Sequence, residues 1–209
     1  IGFLALKDEA ARQFVLSPRF GAIAAQLMEV DAVRLYHDQA LIKEAGGGHT
    51  PWHQDQYYWP LDTDNTITMW MALVDVTLEM GPIRFASGSH RDGYMGHVAI
   101  SDESHERYEA QVQERGYPVV CRSLKAGDAT FHSGWTLHAA GENRGGTDRE
   151  VMTVIYYEDG VRIMNPPDND ARWTDLKYCL PGVQPGEPAV SEINPVVWTS
   201  STRSGTRPG

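Results

Sequence analysis

The sequence has few cysteines and no long apolar segment. Only Cys121 and Cys179 occur in the 209 residues, far apart and in no CxxC arrangement. This favours two reduced thiols over a disulfide or a cysteine-ligated zinc site. No apolar run approaches the ~20 residues that a transmembrane helix needs, and no segment resembles a signal peptide. We therefore expect a cytoplasmic protein.

Positive charge is also scarce. The chain has 18 Lys and Arg against 28 Asp and Glu, a formal net charge of −10. Because nucleic acids and anionic membranes bind clustered Lys and Arg, we expect neither as a partner. A phosphate loop is not expected at Gly46–Gly48 either, since these glycines lack the GxxxxGK[ST] spacing and open no helix.

The composition is that of a single globular domain. Hydrophobic residues make up 41% and charged residues 22% of the chain, which is ordinary for one domain with a sizeable core. We expect one domain over residues 1–198 and a disordered tail over the polar, apolar-poor residues 199–209. The chain begins at Ile1 and not at Met, which leaves open that an N-terminal part is missing.

Local patterns predict few helices and many strands. The first thirty residues are predicted to be helical, with an apolar-rich segment at 12–16 and apolar residues at helical spacing after Ser17-Pro18. A further helix is predicted from Ser101 to Gly116, with acidic residues in its first turn. Short segments rich in β-branched and aromatic residues predict strands at 33–43, 66–76, 83–86, 119–124, 129–132, 136–141 and 149–158. Without alternating crossover helices, they favour an antiparallel sandwich or barrel such as a jelly roll.

One candidate for metal binding is the His-x-Asp pair of His53 and Asp55, within the stretch HTPWHQDQYYWP. On an extended segment the two side chains point to the same face, so that both can bind one metal ion. By chance, an HxD is expected in roughly one of several chains of this length, so the pair alone is weak evidence.

A downstream segment, DATFHSGWTLH, adds His132 and His138. A metal ion bound by two histidines and the carboxylate of Asp55 would have three coordination positions left open. This is the arrangement of non-haem iron(II) oxygenases. Zinc is the alternative, although it more often closes a tetrahedral site.

Arg149 follows His138 at the start of the next predicted strand. If residues 138–141 and 149–155 pair as a hairpin, Arg149 lies near the metal. Its guanidinium could there bind the distal carboxylate of 2-oxoglutarate in a bidentate pair that Lys reproduces poorly. The alternative is a surface Arg paired with Asp148 or Glu150.

Three segments, HTPWHQDQYYWP, MGPIRFASGSH and GDATFHSGWTLHAAGENRGGTDR, together resemble the phytanoyl-CoA dioxygenase family of Fe(II)/2-oxoglutarate oxygenases. The resemblance covers about residues 31–158. It implies a mainly β fold, a cupin-like double-stranded β-helix (jelly roll) with flanking α-helices. It also implies Fe(II) as the cofactor, 2-oxoglutarate and O₂ as co-substrates, and no catalytic residues beyond the metal ligands.

The same resemblance assigns roles to single residues. His53, Asp55 and His138 match the family's iron triad, and Arg149 matches its co-substrate arginine. Similar iron halogenases carry Ala or Gly in place of the carboxylate, so Asp55 favours hydroxylation of a small organic molecule, with release of succinate and CO₂. Epimerases, desaturases and cyclases of natural-product biosynthesis share an intact triad and remain alternatives. A non-catalytic, cupin-like protein that binds metal and a ligand is the alternative from another class.

Further residues are assigned to 2-oxoglutarate. Trp70 falls where the family places an aromatic ring beside the co-substrate, and Gln54 matches the residue between the ligands that approaches it. By the same placement, Gln39 and Lys43, on the predicted strand before Gly46–Gly48, could line the 2-oxoglutarate pocket. A position on a partly exposed strand edge is the equal alternative for both.

The substrate pocket is less well defined. Tyr57 and Trp135 each lie within a few residues of a predicted ligand, so a pocket wall and the core are equal alternatives. His132 is a candidate for the same pocket or for a ring N–H donor beside the metal, with a structural role as the alternative. No basic cluster suited to coenzyme A occurs, so no thioester of it is expected as the substrate. The substrate and the oligomeric state do not follow from the sequence.

Overall fold

The structure, a computed structural model, describes residues 1–96 and 99–200. The strands in these residues are β1 Ala32–Lys43, β2 Thr50–His53, β3 Thr66–Ala72, β4 Ile83–Ala86, β5 Val119–Cys121, β6 Ala129–Ser133, β7 His138–Ala140, β8 Arg149–Glu158 and β9 Val196–Thr199. The α-helices are α1 Glu9–Val15, α2 Pro18–Met28, α3 Asp102–Glu114 and α4 Asp170–Cys179. Short 3₁₀ helices lie at Leu4–Leu6, Asp55–Tyr57, Leu78–Met80 and Ser89–Asp92.

The strands form two antiparallel sheets. The five-stranded sheet has the order β6-β3-β8-β1-β9 and the four-stranded sheet the order β2-β7-β4-β5. Strands that are distant in sequence therefore lie side by side, as in Greek-key and jelly-roll topologies. β3 is buried along its whole length and β8 along most of it, which explains their nearly continuous apolar sequences.

Both predicted helix starts are confirmed. α2 begins at Pro18, directly after Ser17. α3 begins at Asp102, where the Ser101 hydroxyl accepts from the backbone N–H of Ser104 and the Ser104 hydroxyl accepts from that of Ser101, which forms a reciprocal capping box. No helix in the described part of the chain is long and apolar enough to cross a membrane.

Each predicted strand is also confirmed, β4 and β8 with the predicted bounds and the others with shifted ends. Among the strands and α-helices of the described residues, β2, β9 and α4 were not predicted. β2 and β9 are four residues long and too short to show a period, and α4 has no clear apolar stripe. Thr199, the first residue of the predicted tail, closes β9, and residues 201–209 lie outside the described residues.

The chain divides into two compact units. Unit 1 comprises Ile1–Gln39, Tyr58–Met69 and Val154–Gly209, described as far as residue 200, and unit 2 comprises Ala40–Tyr57 and Trp70–Thr153. A single domain over residues 1–198 stays a prediction. All but one of the predicted site residues belong to unit 2, and Gln39 is the exception.

The core of unit 1 is built around aromatic residues of β1 and β8. Tyr36 and Tyr157 are fully buried and meet edge to face, with ring centroids 6.1 Å apart. The Tyr36 hydroxyl donates to Oδ2 of Asp175 on α4 at 3.0 Å. Burial raises the pKa of Asp175 to about 6, although the hydrogen bond from Tyr36 opposes the shift. This contact holds α4 against the sheet.

An apolar cluster in unit 2 fixes β2. Trp52 is fully buried with Tyr108 of α3 and Leu137. Its backbone carbonyl accepts from the Ser104 hydroxyl at 3.0 Å, and its indole N–H donates to Glu109. α3 therefore holds the strand that ends at His53.

Candidate active site

Strand register brings His53 and His138 together. β2 and β7 pair antiparallel with His53 opposite His138 and Thr50 opposite Ala140. Side chains directly opposite on antiparallel strands project from the same face. The two imidazole ring centroids are accordingly 4.1 Å apart.

Asp55 reaches these histidines by a turn and not along a strand. β2 ends at His53, and Asp55 opens a 3₁₀ helix, which differs from the extended His-x-Asp segment expected from the sequence. The chain bends because the next backbone N–H, that of Gln56, donates to the carbonyl of Gly134 at 2.9 Å. Oδ1 of Asp55 then lies 3.5 Å from Nε2 of His53 and 3.5 Å from Nε2 of His138.

Backbone carbonyls set the tautomers of the two histidines. Nδ1 of His53 lies 2.8 Å from the carbonyl oxygen of Pro51, and Nδ1 of His138 lies 3.0 Å from that of Thr136. A carbonyl oxygen only accepts hydrogen bonds, so both Nδ1 atoms carry the hydrogen and both Nε2 atoms present a lone pair.

His53, Asp55 and His138 could hold a metal ion. Their ligand atoms all lie within 4.8 Å of one another, and among the described residues they are the one group of His, Cys, Asp or Glu with this geometry. The lone pairs of these three ligand atoms face each other with no hydrogen between them, and a bound cation would stabilise this arrangement. Two imidazoles and one carboxylate form the donor set that suits Fe(II).

The ionisation states agree with metal binding. Burial raises the pKa of Asp55, but the neighbouring histidines His138, His132 and His53 outweigh burial and hold it well below its usual range. Burial, together with neighbouring His53, lowers the pKa of His138 well below its usual value. An ionised carboxylate beside a neutral imidazole is the state in which these groups bind metal.

Arg149, at the start of β8, is a buried cation. Its guanidinium donates to the carbonyl of Gly81 at 2.5 Å and lies 5.4 Å above the ring of Trp70. Nε has no hydrogen-bond partner, and no carboxylate of the described residues forms an ion pair with it. Burial lowers the pKa of Arg149 only to about 10, so the side chain is charged at neutral pH. A buried charge without a counter-ion is costly, and this site fits an anionic ligand.

The predicted hairpin between the strands of His138 and Arg149 is wrong. β7 lies between β2 and β4 in one sheet, whereas β8 lies between β3 and β1 in the other. The connection crosses between the sheets, and within it the side-chain amide of buried Asn143 donates to the carbonyl of Thr147 at 2.9 Å and to that of Lys43, at the end of β1, at 3.0 Å. The surface alternative is also excluded, since Arg149 is 4% exposed.

Lys43 is a second buried cation in this region. Its ammonium donates to the carbonyl of Gly141 at 2.7 Å and to the Thr50 hydroxyl at 3.3 Å. Burial, and then the charge of Arg149, lower the pKa of Lys43 to about 8, against the opposing effect of Glu142. The structure therefore brings Lys43 close to Arg149. Gln39, by contrast, lies in unit 1, where it forms a β-bridge with Gly2.

The Gln54 side chain is engaged with backbone groups. Its amide nitrogen donates to the carbonyls of Gly93 at 2.8 Å and Trp135 at 2.7 Å, and its oxygen accepts from the N–H of Met95 at 3.1 Å. It thus holds two loops beside the ligands, and its predicted approach to the co-substrate stays a prediction. Trp135 is buried and packs edge to face with Tyr94 at 5.7 Å.

Gly81, in the segment MGPIRF, is a residue of the site that was not predicted from the sequence. Gly81 has a φ of +61°, and a Cβ there would lie 2.2 Å from the carbonyl oxygen of Gly141 and 2.6 Å from that of Glu142. Its own carbonyl anchors Arg149. The Gly-Pro pair predicts a turn, but only the tertiary structure shows that the start of β4 and the end of β7 meet at Gly81.

Gly81→Ala is expected to destabilise the protein by about 3 kcal/mol or more, because left-handed backbone and contact with two backbone oxygens both oppose a methyl group. Chemical denaturation followed by circular dichroism measures this. Gly146→Ala is the matched control, since a Cβ at Gly146 meets no atom within 4 Å. Equal stability of the two variants would contradict the proposed close approach.

The chain has two antiparallel sheets, a partly buried His-Asp-His group and a buried Arg, which together resemble the fold and donor set of the non-haem iron oxygenases. The family model for phytanoyl-CoA dioxygenase (PhyH) matches residues 3–151. The chain belongs to this family.

Two curated relatives match at low identity. A "Probable alpha-ketoglutarate-dependent hypophosphite dioxygenase" of Stutzerimonas stutzeri is 25% identical over 128 residues, covering 59% of this chain and 45% of the relative. A "Phytanoyl-CoA dioxygenase" of Arabidopsis thaliana is 25% identical over 157 residues, covering 74% of this chain and 55% of the relative. The chain therefore spans about half the length of the curated relatives it matches.

A solved structure matches over most of the chain. The epimerase SnoN, crystallised in complex with Fe3+, alpha ketoglutarate and nogalamycin RO, is 27% identical with a TM-score of 0.76, covering 94% of this chain and 77% of that one. This similarity confirms the predicted fold class, a jelly roll with flanking helices.

Proposed function

We propose that the protein is an Fe(II)/2-oxoglutarate-dependent dioxygenase that hydroxylates a small organic molecule. The observation that carries the proposal is the facing set of lone pairs on Nε2 of His53, Oδ1 of Asp55 and Nε2 of His138. Family membership and the likeness to an enzyme crystallised with Fe3+ and alpha ketoglutarate support it. The cytoplasmic location stays a prediction from the sequence.

Each polar group has a task in this proposal. His53, Asp55 and His138 would hold the iron, which with 2-oxoglutarate and O₂ supplies the oxidising chemistry and yields succinate and CO₂. Arg149 would pair with the distal carboxylate of 2-oxoglutarate, and Lys43 would add a second positive charge to the same end. The ring of Trp70 lies against the guanidinium and would keep it in one orientation.

The aromatic residues beside the ligands would bound the substrate pocket. Trp135 is buried and Tyr94 is half-exposed, so this pair presents an apolar surface at an accessible edge. Gln54 holds the backbone of both neighbouring loops in place. Such a wall would keep water from the reacting centre. Tyr57, half-buried in the turn after Asp55, is proposed as a further part of it.

Anaerobic titration with Fe(II) and 2-oxoglutarate, followed by exposure to O₂, tests the proposal. We expect a weak metal-to-ligand charge-transfer band before O₂ is added and succinate release that requires both Fe(II) and 2-oxoglutarate. Absence of 2-oxoglutarate binding together with absence of succinate would overturn the proposal. Binding without succinate would favour the non-catalytic, cupin-like alternative.

A second candidate outcome is epimerisation, which is favoured by the similarity to SnoN, named as an epimerase. The two outcomes differ in the fate of oxygen. A substrate is first identified as a compound that stimulates succinate release. If the enzyme hydroxylates it, the product carries one ¹⁸O atom after reaction under ¹⁸O₂. Epimerisation, desaturation and ring closure leave the product without that atom. Mass spectrometry of the product distinguishes them.

The affinity for 2-oxoglutarate is expected to fall at alkaline pH. Lys43, with its pKa lowered to about 8, is a cation below that pH and becomes neutral as the pH rises through it. Loss of one charge from the anion site is expected to raise the Kd about tenfold, equivalent to about 1.4 kcal/mol. Isothermal titration calorimetry between about pH 7 and about pH 9 measures this.

Lys43→Met should bind 2-oxoglutarate more weakly at neutral pH and show a flat profile across the same range. Lys125→Met is the control, because Lys125 is exposed and paired with Asp75. A wild-type profile that is already flat would remove Lys43 from the proposed anion site.

A further inference from the structure

His132 differs from the two histidines of the proposed triad in what its ring nitrogens face. His53 and His138 hold Nδ1 against backbone carbonyls. Nδ1 of His132, by contrast, is buried and has no hydrogen-bond partner in the described part of the chain. Its Nε2 lies 3.3 Å from Oδ2 of Asp55.

This environment selects one tautomer of His132. A carboxylate oxygen only accepts, so the contact with Asp55 is favourable only when Nε2 carries the hydrogen. With the hydrogen on Nδ1, lone pairs of Nε2 and Oδ2 would face each other, and the N–H would be buried without an acceptor. His132 is therefore a donor to Asp55, whereas a metal ligand needs the Nε2 lone pair that His53 and His138 present.

The two oxygens of Asp55 consequently have different neighbours. Oδ1 lies 3.5 Å from Nε2 of His53 and 3.5 Å from Nε2 of His138. Oδ2 faces the N–H of His132. A carboxylate restrained at Oδ2 is hindered from rotating, so Oδ1 stays directed at the triad.

We propose that His132 is a positioning residue of the metal centre. Its Nε2–H holds Oδ2 so that Asp55 offers one oxygen to a divalent metal, which leaves the other positions for 2-oxoglutarate and O₂. The proposal rests on the proposed function, since it concerns the same centre. Of the roles expected for His132 from the sequence, it favours the ring N–H donor beside the metal over the lining of the substrate pocket.

Packing supports this assignment. The His132 ring is 5% exposed and lies 4.4 Å from the ring of His138 and 5.2 Å from that of Phe85, measured between centroids. The ring is thus confined between apolar and ligand groups. A buried acceptor without a partner costs stability, so a side chain kept for packing alone would be better apolar.

Two variants of nearly equal side-chain length separate these roles. His132→Gln keeps an N–H donor, and His132→Met removes it. Co(II) serves as the probe, because its visible absorption reports the number and geometry of its ligands without turnover. Anaerobic titration of the metal-free protein gives the Kd and the spectrum, and His49→Met, at an exposed histidine, controls for the loss of a histidine.

We expect His132→Met to weaken Co(II) binding about 10–100-fold and to change the Co(II) spectrum, because Asp55 is then free to use both oxygens. His132→Gln should retain most of the affinity and the wild-type spectrum. Wild-type binding by both variants would overturn the proposal. Equal loss in both variants would also overturn it, since that is the result for a histidine that itself binds the metal.

Failure of this inference is distinguishable from failure of the proposed function. If the wild type binds no Co(II), or if Asp55→Asn leaves binding unchanged, the metal centre itself is wrong. If Asp55→Asn abolishes binding while His132→Met binds like the wild type, only the positioning role of His132 is lost.

Discussion

Asp55→Asn is expected to weaken Fe(II) and Co(II) binding by more than ~100-fold and to stop succinate formation. This loss exceeds the roughly 10–100-fold effect that is typical for residues that only hydrogen-bond to a metal ligand. The substitution keeps the shape of the side chain and removes its charge. His53 and His138 then remain as neutral ligands, and two imidazoles alone hold Fe(II) weakly. Metal titration and succinate release measure the two effects.

Asp102→Asn is the matched control. Asp102 belongs to the same unit and carries the same charge, but its side chain is 95% exposed and lies 3.8 Å from His49. We expect unchanged metal affinity and turnover in this variant. If Asp55→Asn retained wild-type binding, the His-Asp-His group would not be the metal centre.

Arg149→Met is expected to raise the Kd for 2-oxoglutarate at least ~100-fold, because truncation of one partner of a buried charge pair costs roughly 2–5 kcal/mol. Metal affinity should not change, since Arg149 is not among the ligands. Arg149→Lys should recover only part of the loss, because an ammonium lacks the planar fork that pairs with a carboxylate. Calorimetry with and without Fe(II) separates the two affinities.

Arg144→Met is the control for this substitution. Arg144 lies in the same connection between β7 and β8, but it is exposed and paired with Glu142. Wild-type affinity of Arg149→Met for 2-oxoglutarate would show that the anion binds elsewhere. The predicted loss in Arg149→Met, with Arg144→Met unaffected, would locate the distal carboxylate.

Much of the fold follows from local sequence patterns. β4 and β8 have the predicted bounds, and α2 and α3 begin at the predicted capping residues. These elements are predictable because a strand or a cap depends on neighbouring residues. β2 was missed because its four residues are held by pairing with β7 and by packing against α3, both of which involve residues far away in sequence.

The candidate site shows the same division at the level of single atoms. The sequence predicts the donor chemistry of the site from the His-x-Asp pair, a later His and an Arg. The family resemblance assigns each of these residues its role. The predicted hairpin that would bring Arg149 beside His138 was wrong, because the chain crosses from one sheet to the other between these two residues. The sequence offered His132 as an N–H donor beside the metal, but only the tertiary structure shows that its partner is Oδ2 of Asp55.

The sequence alone indicated the family, the mainly β fold and the residue types that could bind a metal and an anion. Residue type and spacing carry this information, since donor chemistry belongs to each side chain. Only the tertiary structure shows that His53 lies opposite His138, that backbone carbonyls hold both Nδ1 atoms, and that Arg149 is buried without a counter-ion among the described residues. Register, tautomer and burial depend on contacts between distant segments, which form only when the strands pair and the loops between them close.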